Sequence, residues 1–226
     1  IEWQEQLWDY RMQGTVALDR AGYLSSSDLG FLVDGNWGYD KVVLSAGVIN
    51  GENYNKALGD QRKDVAGRIS VRVMGTDEGG PTGGLRLTAY GHVGKPTGGG
   101  TRQRYVGIAS YRSKALTFSG EIARVVDSAL TTPVSAKRTG RVISLFGVFH
   151  PTTSKVSVIG RFDSVDPNTT ISNDRYSRLI AGVSYTISSN LRVLADLDHV
   201  SYQGGVTTPA LEAIRSQALF QVQFTF

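Results

Sequence analysis

Seven arginines, Arg68, Arg72, Arg86, Arg161, Arg178, Arg192 and Arg215, stand in segments where polar and apolar residues alternate, so each falls on the polar side of its segment. Guanidinium groups lining a narrow aqueous space concentrate anions there and lower the barrier to their passage. Asp64, Glu121, Asp163, Asp196 and Asp198 share that side. They open a second chemistry, in which cross-strand ion pairs brace a wall instead of attracting a solute. Both readings stay open at the level of sequence. Catalysis finds little to work with. Of His92, His150 and His199, only the last has carboxylates and a hydroxyl close by, Asp196, Asp198 and Ser201. A triad needs its base within about 3 Å of both nucleophile and acid. Neighbours on one strand point to opposite faces, so Asp198 and His199 make a poor dyad, and no catalytic residue is expected. Asp163, Asp166, Asn168 and Asn173 could offer oxygens to calcium, but the glycine and terminal glutamate of a twelve-residue calcium loop are missing. With Pro167 between them they read as turn formers. The glycine runs at 79–80 and 98–100 lack the Lys-Ser/Thr of a phosphate loop. Neither a metal nor a cofactor is expected.

The elements that must carry these residues are strands. From the C-terminal end backwards, Phe226, Phe224, Val222, Phe220 and Ala218 share one face, and Thr225, Gln223, Gln221, Gln217 and Arg215 the other, with Leu219 the exception. The pattern repeats upstream: Leu191, Val193, Ala195 and Leu197 alternate with Arg192, Asp196 and Asp198, and Val65, Ile69, Val71 and Val73 with Asp64, Arg68, Ser70 and Arg72. Strands are expected at 29–37, 41–50, 63–74, 84–94, 102–112, 115–127, 140–150, 155–165, 176–187, 190–202 and 214–226. The 3.6-residue helical period is found only from Thr208 to Ile214. Short connections alternate with long polar ones, although 75–83 is longer than its place among the short ones prefers. Tight turns on one side and long loops on the other mark a barrel inserted from one side of a membrane.

Composition narrows the class. The 226 residues hold 27 glycines, ten tyrosines, six prolines and no cysteine, a turn-rich chain independent of disulfides and thiolate metal sites. Formal charge is +4, but the 24 basic residues are spread along the chain, which argues against nucleic acid as a partner. No run approaches 18 apolar residues, so any membrane crossing is made by strands, which need about 9–11 residues when tilted. The opening Ile1-Glu2-Trp3-Gln4 has neither the basic region nor the apolar core of a secretion signal. Three features turn the apolar side outward, toward lipid: its near lack of charge, the loop alternation, and a last strand ending in Phe220, Phe224 and Phe226. The fold class expected is therefore all-β, an antiparallel up-and-down transmembrane β-barrel. Eleven strands is an odd number where single-chain bacterial barrels have even ones. Either part of 1–20 supplies a twelfth, or strands precede Ile1.

Ser26-Ser27-Asp28-Leu29-Gly30, Gly47-Val48-Ile49-Asn50-Gly51, Lys63-Asp64-Val65-Ala66-Gly67-Arg68, the run Arg161 to Asn168 and the closing Gln221 to Phe226 together resemble the phosphate-selective porin O/P-type outer-membrane porins. The resemblance implies a place in a sixteen-stranded barrel of the Gram-negative outer membrane, often trimeric, of which this chain would be the C-terminal portion. It also makes 1–28 a long loop or constriction segment ahead of a barrel domain at 29–226. Trp3, Trp8 and Tyr10 in that segment could enter the lumen as a plug or pack at a subunit interface. The inward residues expected to line a pore are Arg68, Arg72, Arg86, Glu121, Arg161, Asp163, Arg178, Arg192, Asp196 and Arg215. Trp37, Tyr39, Tyr111, Tyr185, Phe224 and Phe226 are expected as an aromatic girdle against outer-membrane lipid and lipopolysaccharide. The function expected is passive diffusion of small hydrophilic solutes, with anions of phosphate type preferred. The alternative is a non-conducting barrel that anchors or scaffolds envelope partners.

Overall fold

A computed structural model of the chain describes residues 2–51, 61–96, 99–129, 136–205 and 208–225. Two short helices come first, α1 (Glu2–Trp8) and α2 (Ala17–Arg20). Ten strands follow: β1 (Gly30–Trp37), β2 (Val42–Ile49), β3 (Asp64–Met74), β4 (Gly84–Gly94), β5 (Gly100–Arg112), β6 (Leu116–Ala129), β7 (Arg138–Phe149), β8 (Val156–Asp166), β9 (Tyr176–Ser188) and β10 (Leu191–Tyr202). Helix α3 (Pro209–Ile214) and strand β11 (Ser216–Phe224) complete the order. Each expected strand is present, with no boundary displaced by more than two residues. The turn expected at Thr208 to Ile214 is α3, where the Thr208 hydroxyl caps the helix by accepting from the Leu211 N–H and a proline fills its first turn. The eleven strands form one antiparallel sheet in strict chain order, each hydrogen-bonded to its sequence neighbours.

That order fixes two ends. One carries the short turns, such as 38–41, 113–115 and 189–190. The connections at 50–63 and 167–175 leave from the other. Register then assigns faces. Leu44, Ile69, Leu87, Phe118, Ile122, Leu145, Phe162, Leu179, Leu197 and Phe220 point outward and are all exposed. Their neighbours Ser70, Arg86, Thr88, Ser119, Glu121, Ser144, Asp163, Ser184 and Asp196 point inward and are buried. The strand residues with full charge on the outward face are Arg124, Arg141 and Asp166, placed side by side by register and all toward the long-loop end.

The inward face is covered in its middle by residues 2–24. These reach β3 through the Trp3 ring under Arg68 and β10 through Leu194, which packs with Leu7, Trp8, Tyr10 and Val16. One short segment can touch eight consecutive strands, spaced about 4.8 Å apart, only if the sheet curls around it. Nothing in 2–20 joins the sheet. Among the described residues β1 pairs only with β2 and β11 only with β10. Those two edge strands run in the same direction and do not pair with each other, so the described sheet stands open, and β1 has no residue buried on either face.

Candidate functional site: the inward face

The inward face falls into two parts with different contents. Over β6–β10, charge meets its complement. Arg161 pairs with Asp163 at 2.8 Å, Ser144 donates to the same carboxylate at 2.6 Å, and Arg178 lies 3.1 Å from Asp198. The N-terminal segment supplies the remaining partners. The Gln4 amide donates to Glu121, the Gln13 amide to Asp198 at 3.2 Å and Asp196 at 3.4 Å, and the Tyr10 and Ser184 hydroxyls share a 2.6 Å bond. Arg161 reaches the Thr15 carbonyl at 2.8 Å with its guanidinium 5.3 Å from the Trp8 ring. Arg192 binds Asp9 at 2.9 Å and stacks 4.2 Å from the Tyr10 ring. Between these polar contacts, Leu7, Trp8, Tyr10 and Val16 pack on Phe146, Val148, Ile159 and Leu194, while Ala17 and Leu18 pack on Val106, Ala123, Val125 and Val142. Arg20, held between Arg161 and Arg178 on this side, has its pKa lowered to about 10, first by burial and then by those two cations. It remains protonated at neutral pH.

Over β3 and β4, cations lack carboxylate partners. Among the described residues Arg68, Arg72 and Arg86 form no ion pair. Arg86 donates instead to the carbonyls of Gly83 at 3.0 Å, Gly80 at 3.1 Å and Asp40 at 2.5 Å, clamping the short-turn connections. Arg72 donates to the Tyr39 carbonyl at 2.5 Å, and Arg68 lies 5.1 Å over the Trp3 ring. At the long-loop rim lies a third group, of which sequence reasoning placed Asp64 inward but missed Arg102. The buried Asp64 accepts from His92 at 2.7 Å and from Arg102 at 2.8 Å, and Arg102 also holds the Gly51 carbonyl at 2.6 Å. A side chain at Gly94 would overlap the Asp64 carboxylate, so glycine is required there. Beside it Arg104 joins Asp127 at 2.8 Å and the Tyr23 carbonyl at 2.8 Å. The even spacing of Arg102 and Arg104 with the even-numbered polar residues of β5 was the available signal.

The inward positions named from sequence thus take three states. Arg68, Arg72, Arg178 and Arg192 are half-buried on the inward face. Glu121, Arg161, Asp163 and Asp196 lie on it beneath residues 2–24, and Arg86 lies beneath the turns. Arg215 is a correction: it is not in a strand but is the C-cap of α3, 3.1 Å from Glu212, because the helix runs to Ile214 where alternation suggested the strand had begun. Of the aromatic residues, Trp37, Tyr39, Tyr111, Tyr185 and Phe224 all sit at the short-turn end, and all but Tyr111 are exposed. Phe226 lies outside the described residues. Asp198 turns inward to Arg178 while His199 faces outward between the Ser216 and Ser201 hydroxyls at 2.7 and 3.1 Å, so the two form no dyad. Asp163 and Asp166 are each engaged by arginine, Asp166 by Arg175 at 3.1 Å.

No family model matches the chain, and no curated protein does. The resemblance to phosphate-selective porins therefore rests on the quoted motifs. A solved structure, the NanC porin in a rhombohedral crystal form, is similar over 86% of this chain and 91% of its own, at 13% identity and a TM-score of 0.42.

Proposed function

We propose that the sheet is wall from a membrane β-barrel of the Gram-negative outer membrane, and that its interior passes small hydrophilic solutes by diffusion. One observation carries this reading: across eleven strands the large exposed side chains of the outward face are apolar or aromatic, chiefly Leu, Ile, Val and Phe, and full charge on that face is confined to Arg124, Arg141 and Asp166 toward the long-loop end. A soluble monomer rarely exposes an apolar patch beyond a few hundred Å², whereas a barrel needs an apolar band about 25 Å tall with polar residues at its borders. Strands β3 to β10 have 11 to 14 residues, enough to cross when tilted. Lipid and lipopolysaccharide are then the partners of the outward face, and Trp37, Tyr39, Tyr111, Tyr185 and Phe224 its aromatic border.

Preference for anions, phosphate-like ones included, follows within the same proposal from Arg68 and Arg72, which are half-buried and form no ion pair among the described residues. Planar-bilayer recording tests both levels. The expected result is stepwise conductance, with a reversal potential favouring anions that moves toward neutrality in the Arg68→Gln, Arg72→Gln double variant. Unchanged selectivity would reject the arginine assignment. The packing of residues 2–24 against β6–β10 favours one other reading, a non-conducting barrel that scaffolds envelope partners. Absence of steps would leave that reading standing.

A further inference from the structure

The inward face is not filled evenly, and the unevenness locates a route. A cavity of about 800 Å³ opens at the long-loop end beside Thr101, Arg102, Lys137 and Asn168. A second, of about 540 Å³, reaches Pro81 and Thr82 in the short-turn connection and borders Ser45 and Arg68. The two share Ser25, Asp28, Ile49 and Tyr90 as lining, so they meet end to end. On the opposite side Leu7, Trp8, Tyr10 and Val16 close onto Phe146, Val148, Ile159 and Leu194. A smaller pocket of about 190 Å³ lies on that side against Arg20, Asp163 and Arg178.

We infer that solutes travel on one side only, between residues 2–28 and strands β1–β5, and that Trp3, Arg68 and Tyr90 form the narrowest point of that route. Arg68 and Tyr90 are directly opposed on β3 and β4. The Arg68 guanidinium lies over the Trp3 ring, and Tyr90 borders both cavities as well as the tight space between Trp3, Gln4 and Leu24. Tyr90 therefore stands where the cavities join, with Arg68 and the Trp3 ring beside it on the side of the second cavity. A ring cut back here widens the junction without touching the ion pairs of β6–β10. The inference rests on reading the sheet as a pore wall, so its test carries a readout that does not depend on conductance.

The chain has no cysteine, so single thiols report cleanly. Ser45 borders the second cavity, whereas Ser184 is 1% exposed and bonded to Tyr10. With the protein in phospholipid vesicles, a charged, water-soluble methanethiosulfonate should modify Ser45→Cys about tenfold faster than Ser184→Cys, as thiol access dictates. In planar bilayers that modification should lower the unit conductance of Ser45→Cys, and Tyr90→Ala should raise unit conductance where Tyr90→Phe does not. Equal modification rates at the two positions would overturn the one-sided route. Tyr90→Ala conducting like the parent would overturn the assignment of the narrow point. A parent that shows no steps would remove the pore reading, while the two thiol rates still decide which side water reaches.

Discussion

Strands β6–β10 and strands β1–β4 carry the same alternation, yet their inward faces have come to different ends. In the first, Arg161, Arg178 and Arg192 each find a carboxylate, and residues 4–18 lay an apolar cover over the result. In the second, Arg68, Arg72 and Arg86 lean on a ring or on backbone carbonyls, and open space remains. Alternation therefore decides which way a residue points. Whether that residue is brace or lining depends on what is brought to it from elsewhere in the chain. A paired, covered charge loses its partner at high cost, while a half-buried cation without an ion pair among the described residues, as at Arg68 and Arg72, keeps its charge available to a passing solute.

The comparison breaks most visibly at Trp8, 1% exposed with Phe146 at 5.2 Å edge-on. Trp8→Ala should cost about 3–5 kcal/mol, as a large buried aromatic does, and trypsin should then cut at Arg11 and Arg20 well before the strands yield. Trp37→Ala, at an exposed strand end, should leave both digestion and thermal midpoint near the parent values. Similar losses at the two sites would show that the segment is no better anchored than the edge. Asp163→Asn comes next, because it strands Arg161 in a buried position. About 3–5 kcal/mol is expected from removing one partner of such a pair, against little change in stability for Arg68→Gln. Chemical unfolding of the two variants side by side measures the contrast. The outward face gives a third comparison. Ile122→Arg, midway along β6, should lower stability in vesicles by about 2–4 kcal/mol, the cost of arginine at the bilayer midplane. In detergent-free buffer a soluble sheet would instead welcome the charge.

How much of this was legible in the sequence differs between the same regions. Period two in Leu191 to Asp198 or Asp64 to Val73 is a property of neighbouring residues, and it located all eleven strands and their outward faces. The helices α1 and α2 have seven and four residues, too few for a 3.6-residue period to register and too short to hold alone. They persist because Leu7, Trp8 and Leu18 are buried against strands far along the chain, from β5 to β10. Glu2 and Glu5 in the first turn of α1 do favour its N-terminal dipole, and were the local hint available. Contacts such as Gln4 with Glu121, or Gln13 with Asp198, join positions whose separation no pattern encodes. Alternation named the wall, and could not name what leans on it. At Arg215 the error was of the opposite kind, since a local pattern was carried two residues beyond the strand into a capped helix.

The finest division of the two regions lies in a single hydroxyl. Tyr10 holds the N-terminal segment by three means: burial of its ring, its stack with Arg192 at 4.2 Å, and its 2.6 Å bond to Ser184. Tyr10→Phe removes only the last. An intramolecular hydrogen bond contributes about 0.5–1.5 kcal/mol net, and an acceptor left buried raises the loss toward the upper end. Ser184 is such a group. Hydrogen exchange at the backbone amides of residues 9–13 should therefore quicken by up to about tenfold, the factor that 1.4 kcal/mol corresponds to, while amides of β1–β4 exchange as before. If the Tyr10→Phe, Ser184→Ala double variant recovers the parent rate, the loss in the single variant came from the orphaned serine hydroxyl. If it does not, the bond itself fastens the segment to the wall.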